Sequence, residues 1–246
     1  FKLVSLDIIR LLVLIATLFA TSKSIYEEIE DRTMLTLMSK PVQRVEVLVG
    51  KYLGIILAAA LMMAALGLVL CIATWWRIPT DYLIPARSLD DVQARELLGL
   101  RQMHLAGIPP ALLLDWMQIS VLAAIGVALS VRVSLVVNLP IVIILYILCN
   151  LTRFLYPVDR ESVPTKVFAF AASTVLPALE LFDIRDNVVH KKLAIAQFSA
   201  EPGALALSTV WGYVGFVGLY AVVYVFFVLT LGMWLFKNRE LGGAEG

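Results

Sequence analysis

Residues 53–76 read LGIILAAALMMAALGLVLCIATWW, twenty-four positions without a single charge, closed by Trp75 and Trp76. A bilayer core of about 30 Å is crossed by roughly 20 helical residues, so this stretch is long enough to span it. The tryptophan pair stands where an aromatic belt meets lipid headgroups. A helix apolar on every side belongs in a membrane or in the core of a large protein, and no single soluble core in a chain of this size could hide so much apolar surface.

Four further stretches meet the same length: about 3–22, 111–131, 133–151 and 207–236. Residues of the AVILMFWYC set make up 61% of the chain, against about 45–50% apolar in ordinary soluble domains. The mean hydropathy is +0.89. The expected fold is therefore all-α, a polytopic transmembrane helix bundle with five spans forming a single domain over 1–246.

In the first span Asp7 and Arg10 lie three apart on one helical face, placed to pair or to mark the aqueous end. Between the third and fourth, Val131-Arg132-Val133-Ser134 leaves room only for a tight turn, with Arg132 on the water side. Asn138 and Pro140 are the notable polar and helix-breaking residues of the fourth span, and a mild kink is expected there. In the fifth, Gly212, Gly215 and Gly218 permit close helix contact; Gly50 and Gly54 offer either close packing or backbone tolerance at the start of the second.

The connecting segments are polar. Residues 23–52 carry an acidic cluster, Glu27, Glu28, Glu30 and Asp31, followed by Lys40, Arg44 and Lys51. Ser24-Ile25-Tyr26-Glu27 has the spacing of a capping box, so a surface helix is expected over about 24–39, stopped by Pro41. Residues 77–110 form a second loop, with a helix starting at Ser88-Leu89-Asp90-Asp91 and ending at Pro109-Pro110. Within 152–206 the apolar run 167–181 is too short to span and is broken by Pro177, so a re-entrant-like outer helical hairpin is expected.

Several chemistries are excluded. The 20 Lys and Arg nearly balance the 19 Asp and Glu, which argues against a nucleic-acid partner held by bulk charge. Cys71 and Cys149 sit inside apolar runs as small hydrophobes, and no metal or cofactor site is indicated. His104 and His190 read as solvated surface residues. No GxxxxGK[ST] occurs, so this chain has no phosphate-cradling loop of its own. Glu27-Glu28-Ile29-Glu30-Asp31-Arg32 matches the EExxxR of intramembrane prenyl-protein proteases, but the intramembrane histidines that such chemistry requires are missing. Spans two to five offer no Asp, Glu, Lys, Arg or His at mid-depth, which disfavours an ion-driven transporter; if the chain transports, the energy is expected from a partner.

Ser24-Ile25-Tyr26-Glu27-Glu28-Ile29-Glu30-Asp31-Arg32-Thr33, then Lys40-Pro41-Val42 with Arg44, then Gly50-Lys51-Tyr52-Leu53-Gly54 resemble the permeases of type 2 ATP-binding cassette (ABC) exporters, most of all the subgroup of the nitrous oxide reductase maturation permease. Leu176-Pro177-Ala178-Leu179-Glu180-Leu181-Phe182-Asp183 and the terminal Phe236-Lys237-Asn238-Arg239-Glu240-Leu241 extend the likeness over nearly the whole chain.

The resemblance implies a six-span permease whose first helix lies upstream of Phe1, and a multi-pass protein of the plasma membrane, the inner membrane in bacteria. It makes 24–39 a cytoplasmic coupling helix seated on a separate ABC ATPase subunit, with Glu27, Glu28, Glu30, Asp31, Arg32 and Thr33 as the contact residues. It implies a second permease copy or homologue as partner, ATP bound only by the ATPase, and no catalytic residue here. Taken without the family pattern, the acidic run reads first as a solvated face near headgroups, as charge runs usually are; the alternative for the chain is a non-transporting scaffold for an extracytoplasmic partner.

Overall fold

The computed structural model describes residues 1–23, 43–81, 91–155, 176–185, 193–194 and 205–237. Six helices account for most of them: α1 Lys2–Lys23, α2 Arg44–Asp81, α3 Asp91–Ala106, α4 Ile108–Ser130, α5 Leu135–Leu155 and α6 Leu207–Lys237. A 3-10 turn at Leu179–Phe182 and a two-residue parallel pairing of β1 (Leu193–Ala194) with β2 (Leu205–Ala206) complete the described elements. The chain is an all-α polytopic helix bundle.

Among the described residues, Lys2–Lys23, Val45–Pro79, Leu97–Ser130 and Leu207–Leu235 are long and apolar enough to cross a membrane. The stretch expected at 133–151 forms α5, whose apolar part, Leu135–Asn150, is shorter than these four. All 21 residues of α5 together reach roughly 30 Å at about 1.5 Å per residue.

Three boundaries differ from the sequence reading, each for a local reason. Helix α2 begins at Arg44, nine residues before the expected span, because the Glu46 carboxylate accepts the Gln43 backbone N–H at 3.0 Å, the reciprocal half of a capping box. It also continues past Trp76 to Asp81, where Ile78 is buried and the Arg77 guanidinium stacks 4.6 Å above the Phe1 ring. Pro109-Pro110, expected to end a helix, instead stand in the first turn of α4, where backbone N–H groups have no intrahelical partner and proline costs nothing. Gly107 is the turn that separates α3 from α4.

Packing divides the chain into two compact units. The first comprises Phe1–Val13, Ala60–Met117 and Phe182–Leu219. Leu6, Leu114 and Phe182 are almost wholly buried in it, and Ile184 and Leu207 pack on Val210. Gly67 lets Leu112 approach α2, and Gly218 lets Met117 approach α6, where a Cβ would stand 3.1 Å from the methionine methyl.

The second unit comprises Leu14–Ala59, Gln118–Leu181 and Tyr220–Gly246. Thr21 of α1 packs onto Gly126 of α4, and the Asn138 amide of α5 donates to the Gly126 carbonyl at 2.9 Å. Tyr52 of α2 donates its hydroxyl to the Ser120 carbonyl at 3.3 Å. One residue of α4, Gly126, thus receives two neighbouring helices. At Gly50, Gly54, Gly212 and Gly215 an added Cβ would meet only open space, so of the glycines expected to bring helices together only Gly218 does so.

The outward faces are strongly apolar. Leu57, Leu61, Leu68, Phe216, Phe226 and Phe227 are each more than 60% exposed. Such surfaces suit hydrocarbon, which hydrates no polar group but solvates leucine and phenylalanine freely.

Candidate functional site: a buried ion cluster

The first unit contains an ionic group built from three chain segments. Helix α1 supplies Asp7 and Arg10, three residues apart and on one face, with Arg10 Nη2 3.3 Å from Asp7 Oδ1. Helix α4 supplies Asp115, 1% exposed. The segment just beyond the 3-10 turn supplies Asp183 and Arg185, the latter 4% exposed.

Arg185 is the hub. Its Nη1 donates to Asp7 Oδ1, its Nε donates to Asp183 Oδ1 at 3.2 Å, and its Nη2 lies 3.6 Å from Asp115 Oδ1. The Arg185 backbone N–H reaches the same Asp183 oxygen at 3.4 Å, so the aspartate shapes the turn that aims the guanidinium. The planar guanidinium spreads its donors over three nitrogens in a fixed fork, and each nitrogen here faces a different carboxylate.

The cluster is incompletely satisfied. Arg10 Nη1, Arg185 Nη2 and both Asp115 oxygens are buried without a hydrogen-bond partner. Buried unmet groups of this kind cost about 1–3 kcal/mol each. A carboxylate inside a membrane helix is rarer still and is retained where it has a partner and a use. Asp7 and Asp183 have side chains about half exposed, so this end of the unit must stand at water or headgroups rather than in hydrocarbon.

A family model described as ABC-2 family transporter protein matches residues 3–241. The chain belongs to the ABC-2 transporter family. No curated protein and no solved structure matches it. The ABC-2 permease is accordingly a membrane permease subunit of an ABC transporter and a multi-pass membrane protein.

The residues expected to contact an ATPase, Glu27, Glu28, Glu30, Asp31, Arg32 and Thr33, lie outside the described residues, as does the expected helix over 24–39. Of the expected outer hairpin, only 176–181 of the 167–181 run is described. There Pro177 precedes the 3-10 turn, and the Ala178 N–H donates to the Tyr220 hydroxyl at 2.9 Å within the second unit.

His104 is not a freely solvated surface residue in the ABC-2 permease. It is half-buried, and Lys2 of α1 hydrogen-bonds to its Nδ1. Nearby Arg101 stacks 4.4 Å above the Trp75 ring, so α3 is fixed to α1 and α2 by cation contacts. His190 lies outside the described residues. Among the described residues no group of three or more His, Cys, Asp or Glu could hold a metal ion, and in the cluster guanidinium groups stand against the carboxylates.

Sequence reasoning found the Asp7–Arg10 pair but passed over Asp115 and Arg185. Asp115 had a signal: it is the one charged residue of the run 111–131. Arg185 had none, because 178 residues separate it from Asp7 and nothing local tells that they meet.

Proposed function

We propose that this ABC-2 permease is the membrane-spanning half of an ATP-driven exporter, coupled through the acidic helix over 24–39 to a separate ATPase subunit. It works beside a second permease copy or homologue in the plasma membrane, the inner membrane of a bacterium. The observation that carries this reading is the family match over 3–241, which runs through the charged segment 23–52. The EIExxT and KPVxR motifs of that segment, and GKYLG where it runs into the next span, support it and favour the nitrous oxide reductase maturation subgroup.

The physical logic is that of a lever. A short charged helix fused to a membrane span moves the span when the ATPases close, and complementary charge sets register and partner choice more than raw affinity. Glu27, Glu28, Glu30, Asp31, Arg32 and Thr33 are the proposed contact, ATP being bound by the partner alone.

Affinity purification of the C-terminally tagged, full-length protein from its native membrane tests this, with a Glu27→Ala/Glu28→Ala/Glu30→Ala variant beside it. A P-loop ATPase is expected with the wild type and is expected to be lost from the folded variant. Its absence from both, under conditions that keep other membrane complexes intact, would replace the exporter by a scaffold for an extracytoplasmic partner.

A further inference from the structure

Two arginines share the same carboxylates in the buried cluster. Asp7 Oδ1 accepts from both Arg185 Nη1 and Arg10 Nη2. Asp115 lies 3.6 Å from Arg185 Nη2 and is also within electrostatic reach of Arg10. With Arg185 in its observed position, a buried donor on Arg10, a buried donor on Arg185 and both buried oxygens of Asp115 have no hydrogen bond.

We propose that Arg10 and Arg185 are interchangeable partners of Asp7 and Asp115, so that the cluster is a two-position ion-pair latch that holds or releases the Asp183–Arg185 segment. In the held position Arg185 ties that segment to α1 and α4. In the released position Arg10 turns onto Asp115, which gives the idle Arg10 donor and the Asp115 carboxylate each a partner, and Arg185 keeps its bond to half-exposed Asp183 and swings with it toward water. A fully satisfied buried network is a rigid brace. Here the held arrangement leaves buried atoms of Arg10, Arg185 and Asp115 unmet, and the released one gives up the bond from Arg185 to half-exposed Asp7; each keeps something that the other loses, the condition for a switch. The latch does not rest on coupling to an ATPase.

Hydrogen exchange of the Phe182–Arg185 amides in the full-length protein, held in lipid nanodiscs without nucleotide, tests it. Arg10→Gln removes the competitor, so exchange is expected to slow several-fold; Arg185→Gln is expected to speed it. Equal or faster exchange in Arg10→Gln overturns the latch, since a static brace loses support when any member is removed. A melting series gives the second reading. Each single variant is expected to lower the midpoint by a few degrees, the double variant by clearly more than the two together, and Asp115→Asn added to the double to recover at least half of the loss. Additive losses, no recovery, or failure of Arg185→Gln to fold would each overturn it, because Arg10 would then not be replacing Arg185.

Discussion

Gly232 of α6 lies against Ala128 of α4 so closely that a Cβ on the glycine would stand 2.9 Å from the alanine Cβ and 3.1 Å from its Cα. The second contact is with backbone, which cannot rotate away. Gly232→Ala is expected to destabilise the protein, because overpacking of about 1–3 kcal/mol exceeds the gain of up to ~1 kcal/mol from replacing glycine in a helix. Thermal unfolding in mild detergent would show a fall of a few degrees.

Gly212 and Gly215, on the same helix, give the opposite expectation. A Cβ at either meets nothing within 4 Å. Alanine there should be neutral or stabilising by up to about 1 kcal/mol. A loss of stability or of complex recovery in both variants would mean that another chain covers this face in the assembled protein, as a permease dimer would require.

Asp115 separates burial of a charge from burial of a shape. Asp115→Asn keeps the volume and leaves Arg185 with Asp7 and Asp183, so a cost of about 1–2 kcal/mol is expected. Asp115→Lys places a third cation beside two arginines and should cost more than ~3 kcal/mol, seen as loss of folded protein in fluorescence-detected size-exclusion chromatography.

Tyr220 accepts the Ala178 N–H through its hydroxyl. Tyr220→Phe keeps the ring and removes the acceptor, so the Ala178 amide should exchange roughly fivefold faster, the equivalent of about 1 kcal/mol, with little change in global unfolding. An unchanged exchange rate would show that the bond contributes nothing to holding the residues around Pro177.

Arg132 donates from Nε at 3.3 Å and Nη2 at 3.2 Å to the Leu235 carbonyl in the last turn of α6, where a cation also meets the negative end of the helix dipole. The group is exposed, so Arg132→Gln is expected to cost less than about 1 kcal/mol. Unfolding midpoints in low and high salt check the origin: the difference between wild type and variant should shrink as salt rises.

The sequence by itself determined that this chain lives in a membrane and is built of helices. Charge-free runs of span length, such as 53–76, allow no other economical fold, because hydrocarbon leaves backbone groups no partner but their own helix. It also carried the family, since the motifs of 23–54 are local and survive as text. Helix ends were less legible: the Gln43–Glu46 cap and the placing of Pro109-Pro110 depend on which neighbouring residues pack and on which N–H groups are already idle. Only the tertiary structure decided the buried cluster. Asp7, Asp115 and Arg185 come from three distant segments, and the attraction that joins them depends on distance in space and leaves no mark on spacing along the chain.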